Sequence, residues 1–530
     1  MAPYSTQAII VDLLPSFLLA ILPILVIFVG LVLLKQSGTL MGVIGWVLTV
    51  LIAVFFFSTS PEIALLASFN GLLASFGISL MVLFTILQVT MMDQTGAIRS
   101  ISEFFRLIAA EPYEQVMLLN VGLGSFLVSI GATPVTMLPP IMLALGFSPL
   151  AAVALPCLGY DPLTSFSLLA VPITLPAQVF NLDLGALGST ISFFLPVIST
   201  GFALGMLFVA EGLSGVRKGV VPALVAGLTL GFSAILFVHI LPASAIGLVG
   251  VFSGLATIAI LLLLRVVQGK PIVVRQAQMP PDLMPIRRAA LPWLLLVICC
   301  IVISIPAVAS WLHELLGPLQ VITVVADRKV DLRLLNQAYT WVLVSTVATA
   351  PFMVRSREEG HRILSCWLRR AWAPTLAAAV FFAIAYVMDW SGQSVIDGAL
   401  GFAAGTSDTN MNAVIGLMLA MTFGVAFPAF SPLLGLFGAF VSGSEASSNV
   451  MFHGILKRAT GVLDLDFLTV YSGHAVAGGI ASGISPAKIV NAAAVIDQIG
   501  IEGDVIRRCV PIAVVLTLVT GAMLVVMLAR

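Results

Sequence analysis

Charge is scarce in this sequence. Lys, Arg, Asp and Glu make up 9% of its 530 residues and cancel to a formal net charge of zero, so nothing electrostatic recommends a nucleic-acid partner. Cysteine is scarce as well. Cys157, Cys299, Cys300, Cys366 and Cys509 lie in or beside apolar runs and form no CxxC pair, which suggests neither a disulfide framework nor a zinc site. No HExxH, Walker or dinucleotide motif stands in a membrane-compatible context. Ser482-Gly483 and His474 are too close along the chain to rebuild the two-helix dyad of an intramembrane serine protease. The sequence therefore calls for no cofactor, no metal and no enzyme activity. Positive charge is also missing ahead of the first apolar run: the first basic residue is Lys35. A secretory signal would place it earlier, so residues 14–34 are expected to stay as a span.

What fills the chain instead is apolar. Hydrophobic residues reach 60%, and mean hydropathy is +1.14. That composition belongs to a polytopic helical membrane protein. Spans are expected at about 14–34, 39–57, 62–91, 149–172, 187–210, 219–240, 244–265, 289–310, 335–354, 371–389, 411–434 and 508–529. Less regular segments lie at 459–505. The 265–288 stretch, with five basic residues, one acid and four prolines, reads as a cytoplasmic linker between transmembrane halves at 1–264 and 289–530. Arg99/Arg106, Arg217/Lys218, the linker, Arg355 to Arg370, Lys457/Arg458 and Arg507/Arg508 are all expected on the cytoplasmic side.

Two apolar runs are interrupted. In GLFGAFVSGSEASSNVMFHG, residues 435–454, hydropathy collapses after Ala439 into Ser442, Gly443, Ser444, Glu445, Ser447, Ser448 and Asn449. In GSFLVSIGATPVTMLPPIMLALGF, residues 124–147, Gly131, Pro134, Pro139 and Pro140 bend the chain beside Ser129 and Thr133. Bare backbone and ionisable groups at membrane depth persist only where protein or a watery cavity satisfies them. Interrupted helices in corresponding halves are the sequence pointer to a transporter binding site. The alternative is an ordinary polar loop. Aligning GSFLVSIGATPV with GAFVSGSEASSN pairs Gly, Phe and Ala and sets Thr133 opposite Ser447. The expected fold is thus all-α and polytopic, with about 12–14 membrane segments in two inverted repeats. Each repeat carries a re-entrant hairpin, near 113–147 and near 435–458.

The polar break residues suit a carboxylate. Half-helix N-termini offer free N–H donors and a positive dipole end, and short hydroxyls complete the coordination. No arginine lies deep in a span, which favours a small monoanion over a dicarboxylate. Glu445 is either a proton-coupling group or an ion-pair partner of Lys457 or Arg458. Asp161, in PCLGYDPL, is either a second proton or cation site or the cap of the following helix. His474, in YSGHAVAGG, is either a proton group or a satisfied buried side chain, with His453 and His239 as alternatives.

VSGSEASSNVMF resembles the signature of the bacterial lactate permease family, whose members carry SGSDTSSN there. GGIASGISPAKIVNAAAVIDQIGIEGDVIRR at 478–508 and GATPVTMLPPIMLALGFSPLAA resemble further family segments. The resemblance runs over nearly the whole chain. It implies a proton-coupled plasma-membrane importer of lactate (L or D), glycolate or related 2-hydroxy monocarboxylates. It also implies paired hairpins like those of ion transporters with Ser-Asn-Thr tips. There are departures. Val128 stands where the family has Glu, Glu445 and Ala446 replace Asp and Thr, and Gly159-Tyr160-Asp161-Pro162 replaces Asn-Thr-Ala-Pro. A sodium-coupled carrier of another small organic anion, or an anion channel, remains the alternative. Expected partners are the carboxylate, a proton or sodium ion and the lipid bilayer, with a homo-oligomer left open.

Overall fold

The structure, a computed structural model, describes residues 6–529 apart from 33, 35, 107–110, 132–133, 273–282, 304, 326–327, 397–398, 403–409, 497 and 499; of Ser442 it describes the backbone alone. Among the described residues the chain is helical. The exceptions are two small antiparallel ribbons, Val321–Val325 with Arg328–Asp331 and Gln393–Ile396 with Ala399–Phe402. Among the described residues eight helices are long and apolar enough to cross a membrane. A ninth span is formed if Leu291–Ile303 and Ala307–Gln320, which meet at 91°, are taken together. In lipid every backbone group must be satisfied within the segment, and long apolar helices do that. Several helix starts carry side-chain caps. Ser37, Ser60, Ser148 and Asp466 each accept a hydrogen bond from a backbone N–H in the first turn of the helix that follows.

The Leu195–Ile240 helix has 46 residues, which at ~1.5 Å per residue would overshoot a bilayer about twofold. It turns back instead at Glu211–Gly212, where Gly212 has φ +65°. Gly231 then lies on Pro196, Gly227 on Thr200 and Gly219 on Leu207. The element is therefore two antiparallel spans, matching those expected at 187–210 and 219–240.

The interrupted runs fold as hairpins. The first enters through Pro112–Gln115, Val116–Leu123 and Gly124–Ser129, turns near Gly131 (φ +86°), and returns through Pro134–Met137 and Pro139–Ala144. Val116–Leu123 is a stretch of π-helix. A broken helix follows: Pro149–Leu158, an irregular stretch at 159–170, then Val171–Val179. The second hairpin is Phe427–Ser442 and Glu445–Leu463, with Gly443 and Ser444 between them. It too precedes a broken helix, Phe467–Ser482 and Pro486–Val495.

Contacts sort the ends of these elements. Glu114, at the base of the first hairpin, pairs with Arg265 and with Lys270 (2.5 Å), one residue at the end of the Val249–Val267 helix and one just past it. That hydrogen bond to Glu114 raises the pKa of Lys270 above its ordinary value. Gly219 packs on Tyr113, and Arg508 donates to the Phe208 carbonyl at 3.2 Å. These residues therefore share the linker end of the molecule. The Glu502–Leu528 helix starts there, and its Leu524 packs on Gly473 while its Gly521 meets the Ala429 carbonyl. The bases of the second hairpin and second broken helix thus lie at the opposite end. Lys457 and Arg458 belong to that far end, not to the linker end where the sequence had grouped them. Loop charge alone does not reveal that Glu445–Leu463 rises from a mid-depth turn rather than crossing completely.

The two sequence halves interleave. The Arg357–Trp390 helix packs on Gly38–Phe56, Pro61–Ala74 and Phe76–Gln94. Gly71 sits so close to Ala383 that any Cβ there would strike its backbone.

Candidate functional site: three helix breaks that meet

The second hairpin turns because Gly443 takes φ +71° and its N–H returns to the Ala439 carbonyl at 2.8 Å. Ser444 then caps the outgoing helix, accepting from the Ser447 N–H at 3.3 Å. Glu445 is therefore a first-turn residue at a helix N-terminus, where a carboxylate is stabilised. It is 3% exposed, and its carboxylate accepts a hydrogen bond from the Ser165 hydroxyl. That partner, not Lys457 or Arg458, is what the buried acid finds. Gly479 allows the close approach, since a Cβ there would lie 2.9 Å from Glu445 Oε2 and would strike Thr164.

Ser165 belongs to the irregular stretch of the first broken helix. Thr164, Leu168, Leu169 and Ala170 all have positive φ there. Each such non-glycine residue costs about 1–3 kcal/mol and persists where surrounding structure imposes it, most often at functional sites. The imposing contacts come from the second half. Asn449 Nδ2 donates to the Pro172 carbonyl at 2.9 Å, and the Gly483 N–H donates to Asp161 Oδ1 at 2.8 Å. Asp161 is thus a cap, but of the second broken helix rather than the helix that follows it. Gly483 is needed there because a Cβ would abut the Cys157 carbonyl and lie 2.7 Å from Asp161 Oδ2.

Further buried hydroxyls surround these contacts. Ser447 Oγ, Thr164 Oγ1, Ser485 Oγ and Asp161 Oδ2 have no hydrogen-bond partner among the described residues. Buried polar groups are normally paired, so this set is a place where a polar guest could be received. Lys488, just beyond the 483–485 break, lays its Nζ 3.8 Å from the centre of the Tyr160 ring. The Tyr471 hydroxyl donates to the Asn449 carbonyl at 2.9 Å.

Of the residues singled out from the sequence, Asp161, Gly443, Ser444, Glu445, Ser447, Ser448 and Asn449 come together. Ser448 lies 3.4 Å from His474 Nε2. His474 reaches the cluster through that contact and by stacking on Tyr471, and its own carbonyl packs against Gly435. His453 stacks on Phe180 at 3.6 Å, and the exposed His239 pairs with the half-buried Ser189. Ser129 does not join the cluster. It donates to the Ser125 carbonyl at 2.6 Å and sits against Gly250. Thr133 and the Ser442 side chain lie outside the described residues. Ser165, Thr164, Tyr160, Tyr471 and Lys488 were missed. The polar string GYDPLTSFS was the available signal, but the apolar run around it reads as one continuous span.

A multispan helical protein whose helices break at buried polar residues has the architecture of a secondary transporter. The L-lactate permease family profile matches residues 16–529, and the chain belongs to that family. It is similar to the glycolate permease GlcA of Escherichia coli (strain K12), at 23% identity over 96% of this chain and 94% of that one. The L-lactate permease of Streptococcus iniae is 23% identical over 85% of this chain and 92% of its own. That of E. coli (strain K12) is 24% identical over 96% and 94%. Among solved structures, the Alcanivorax borkumensis YdaH transporter aligns over 93% of this chain and 98% of its own, at 13% identity and a TM-score of 0.41. The protein is therefore a multi-pass transporter of the plasma membrane, not an enzyme.

Proposed function

We propose that the protein imports L-lactate, D-lactate, glycolate or a related 2-hydroxy monocarboxylate by proton symport. The observation that supports this reading most is the buried Glu445 at a helix N-terminus, bonded by a hydroxyl from the opposite half of the chain. Acids at membrane depth are rare and mark proton or ion pathways. Protonation would cancel its charge and allow an anion to enter beside it. Ser447, Ser448, Asn449 and the first-turn N–H groups of Glu445–Leu463 would receive the carboxylate. Thr164 is better placed than Ser129 for the 2-hydroxyl, because Ser129 is committed within its own helix; Thr133 remains the candidate from the first hairpin. Asp161 would hold the second broken helix in register. We further propose that hairpin, broken helix and span recur with opposite orientation in the two halves, so that the site opens alternately to either side.

The test is uptake of radiolabelled L-lactate into proteoliposomes under an imposed pH gradient, challenged with glycolate, D-lactate, pyruvate and dicarboxylates. Losing one hydrogen bond to a charged ligand costs about 1.5–3 kcal/mol, so Ser447→Ala and Asn449→Ala should raise KM on the order of ten- to a hundredfold. Uptake that follows sodium and ignores pH would overturn the coupling. Unchanged KM in both variants would overturn the site.

A further inference from the structure

A cavity of about 240 Å³ lies at the linker end, between the base of the first hairpin, the Val249–Val267 helix and the second of the two spans within Leu195–Ile240. None of its lining residues belongs to the helix breaks. Each of its three walls changes character within about one turn. Glu114 stands nearer the linker end than Met117, Lys218 nearer than Val221, and Arg265 nearer than Leu261. The mouth is therefore charged and the floor apolar. Val221 is 53% exposed, so one wall faces the surrounding lipid rather than protein. The charges at the mouth do not cancel. Glu114 is the one acid among the lining residues, and Arg265 and Lys270 (2.5 Å) share it. One carboxylate cannot balance two cations, and Lys218 adds a third at the rim. Arg265 is 6% exposed, yet its Nε has no hydrogen-bond partner among the described residues. Buried donors are normally paired.

We infer that this cavity binds an anionic glycerophospholipid, with the lipid phosphate at Lys218 and Arg265 and an acyl chain along Met117, Val221 and Leu261. Basic pockets between membrane helices attract anionic headgroups, because a phosphate there meets cations at the edge of the hydrocarbon. The two halves of the cavity select this class together. A free phosphate would use the charged mouth and leave the apolar floor empty. A zwitterionic lipid would fill the floor and leave the surplus positive charge at the mouth. An anionic lipid answers both, and the bilayer supplies it from the side on which Val221 is exposed. Bound there, it would pack the base of the first hairpin, including the π-helical stretch Val116–Leu123, against two spans. The assignment is independent of which substrate crosses at the helix breaks.

The experiment uses the full chain, stripped of lipid in detergent and exposed to phosphatidylglycerol carrying a photoactivatable diazirine. Crosslinked peptides are read by mass spectrometry. Label should concentrate in residues 113–118, 218–222 and 261–268 and be displaced by unlabelled phosphatidylglycerol, not by phosphatidylcholine or inorganic phosphate. Lys218→Gln should weaken the apparent affinity about fivefold, the contribution of one basic residue near a headgroup. Arg507→Gln removes an exposed cation from the same end and should leave labelling as in wild type. Val221→Trp fills the floor without altering any charge and should abolish the labelling. Lys218 and Val221 are both exposed, so neither change disturbs the core. Displacement by inorganic phosphate, or labelling that survives Val221→Trp, would make the mouth a soluble-anion site and overturn the lipid assignment. Label spread evenly over the lipid-facing surface, or unchanged in Lys218→Gln, would mean ordinary surrounding lipid and overturn it as well.

Discussion

Glu445 and Asp161 are both buried carboxylates that accept one hydrogen bond from the opposite half of the chain, yet their donors differ in kind. Ser165 offers a hydroxyl that can rotate away, whereas the Gly483 N–H is fixed in the backbone. On the proposed mechanism, Glu445 would be the acid that changes protonation and Asp161 the one that ties the second broken helix in place. Glu445→Gln keeps the shape and a hydrogen bond to Ser165 but can carry no proton. It should abolish uphill accumulation of lactate while leaving lactate–lactate exchange at a comparable rate, measured as counterflow in preloaded vesicles. Loss of both activities, with the protein intact by size-exclusion chromatography, would make Glu445 a structural residue. The acids were legible in the sequence because a carboxylate in an apolar run is conspicuous on its own. Ser165 and Lys488 were not, because their meaning depends on partners hundreds of residues away: Ser165 and Glu445 are 280 positions apart.

At the scale of elements, what holds the breaks together is close backbone approach. Gly435 lies against the His474 carbonyl, Gly479 against Thr164 and Gly483 against the Cys157 carbonyl. Gly461, in the exposed last turn of Glu445–Leu463, has nothing near the place a Cβ would occupy. The pair makes a controlled comparison. Gly435→Ala must push apart two helices through a backbone atom that cannot rotate away, at a cost of about 1–3 kcal/mol. Gly461→Ala should gain roughly 0.5–1 kcal/mol from helix propensity. Thermal unfolding in detergent should therefore show a lowered midpoint for the first and an equal or raised midpoint for the second. Equal shifts would mean the helix contact is not tight. The hairpin at 435–458 was readable because Gly, Ser and Glu cluster within a few residues. The 159–170 break was not, because Leu163, Phe166 and Leu168 to Ala170 keep hydropathy high there, and the left-handed backbone is imposed by tertiary contacts rather than by glycine.

For the molecule as a whole, the arrangement of ends carries the functional argument. The first hairpin starts at the linker end, where Glu114 meets Arg265 and Lys270, and the second starts at the far end, beside Gly521 and Leu524. A carrier that opens alternately needs entrances of this opposed kind, whereas two hairpins entering from one side would leave the site open to that side only. The positive-inside rule would put the linker end, where arginine and lysine concentrate, on the cytoplasmic side. The arrangement predicts a labelling pattern. In a background with Cys299 and Cys366 replaced by Ser, Gly461→Cys should react with a membrane-impermeant maleimide added to whole cells. Ser214→Cys, at the Glu211–Gly212 bend, should react only in inside-out vesicles. Both positions are exposed and neither touches the helix breaks, so transport should survive in each variant. Labelling of both from the same side would place the two hairpin bases together. It would remove the opposed-entrance argument, and the site would then be that of a one-sided pore, with flux indifferent to counter-substrate.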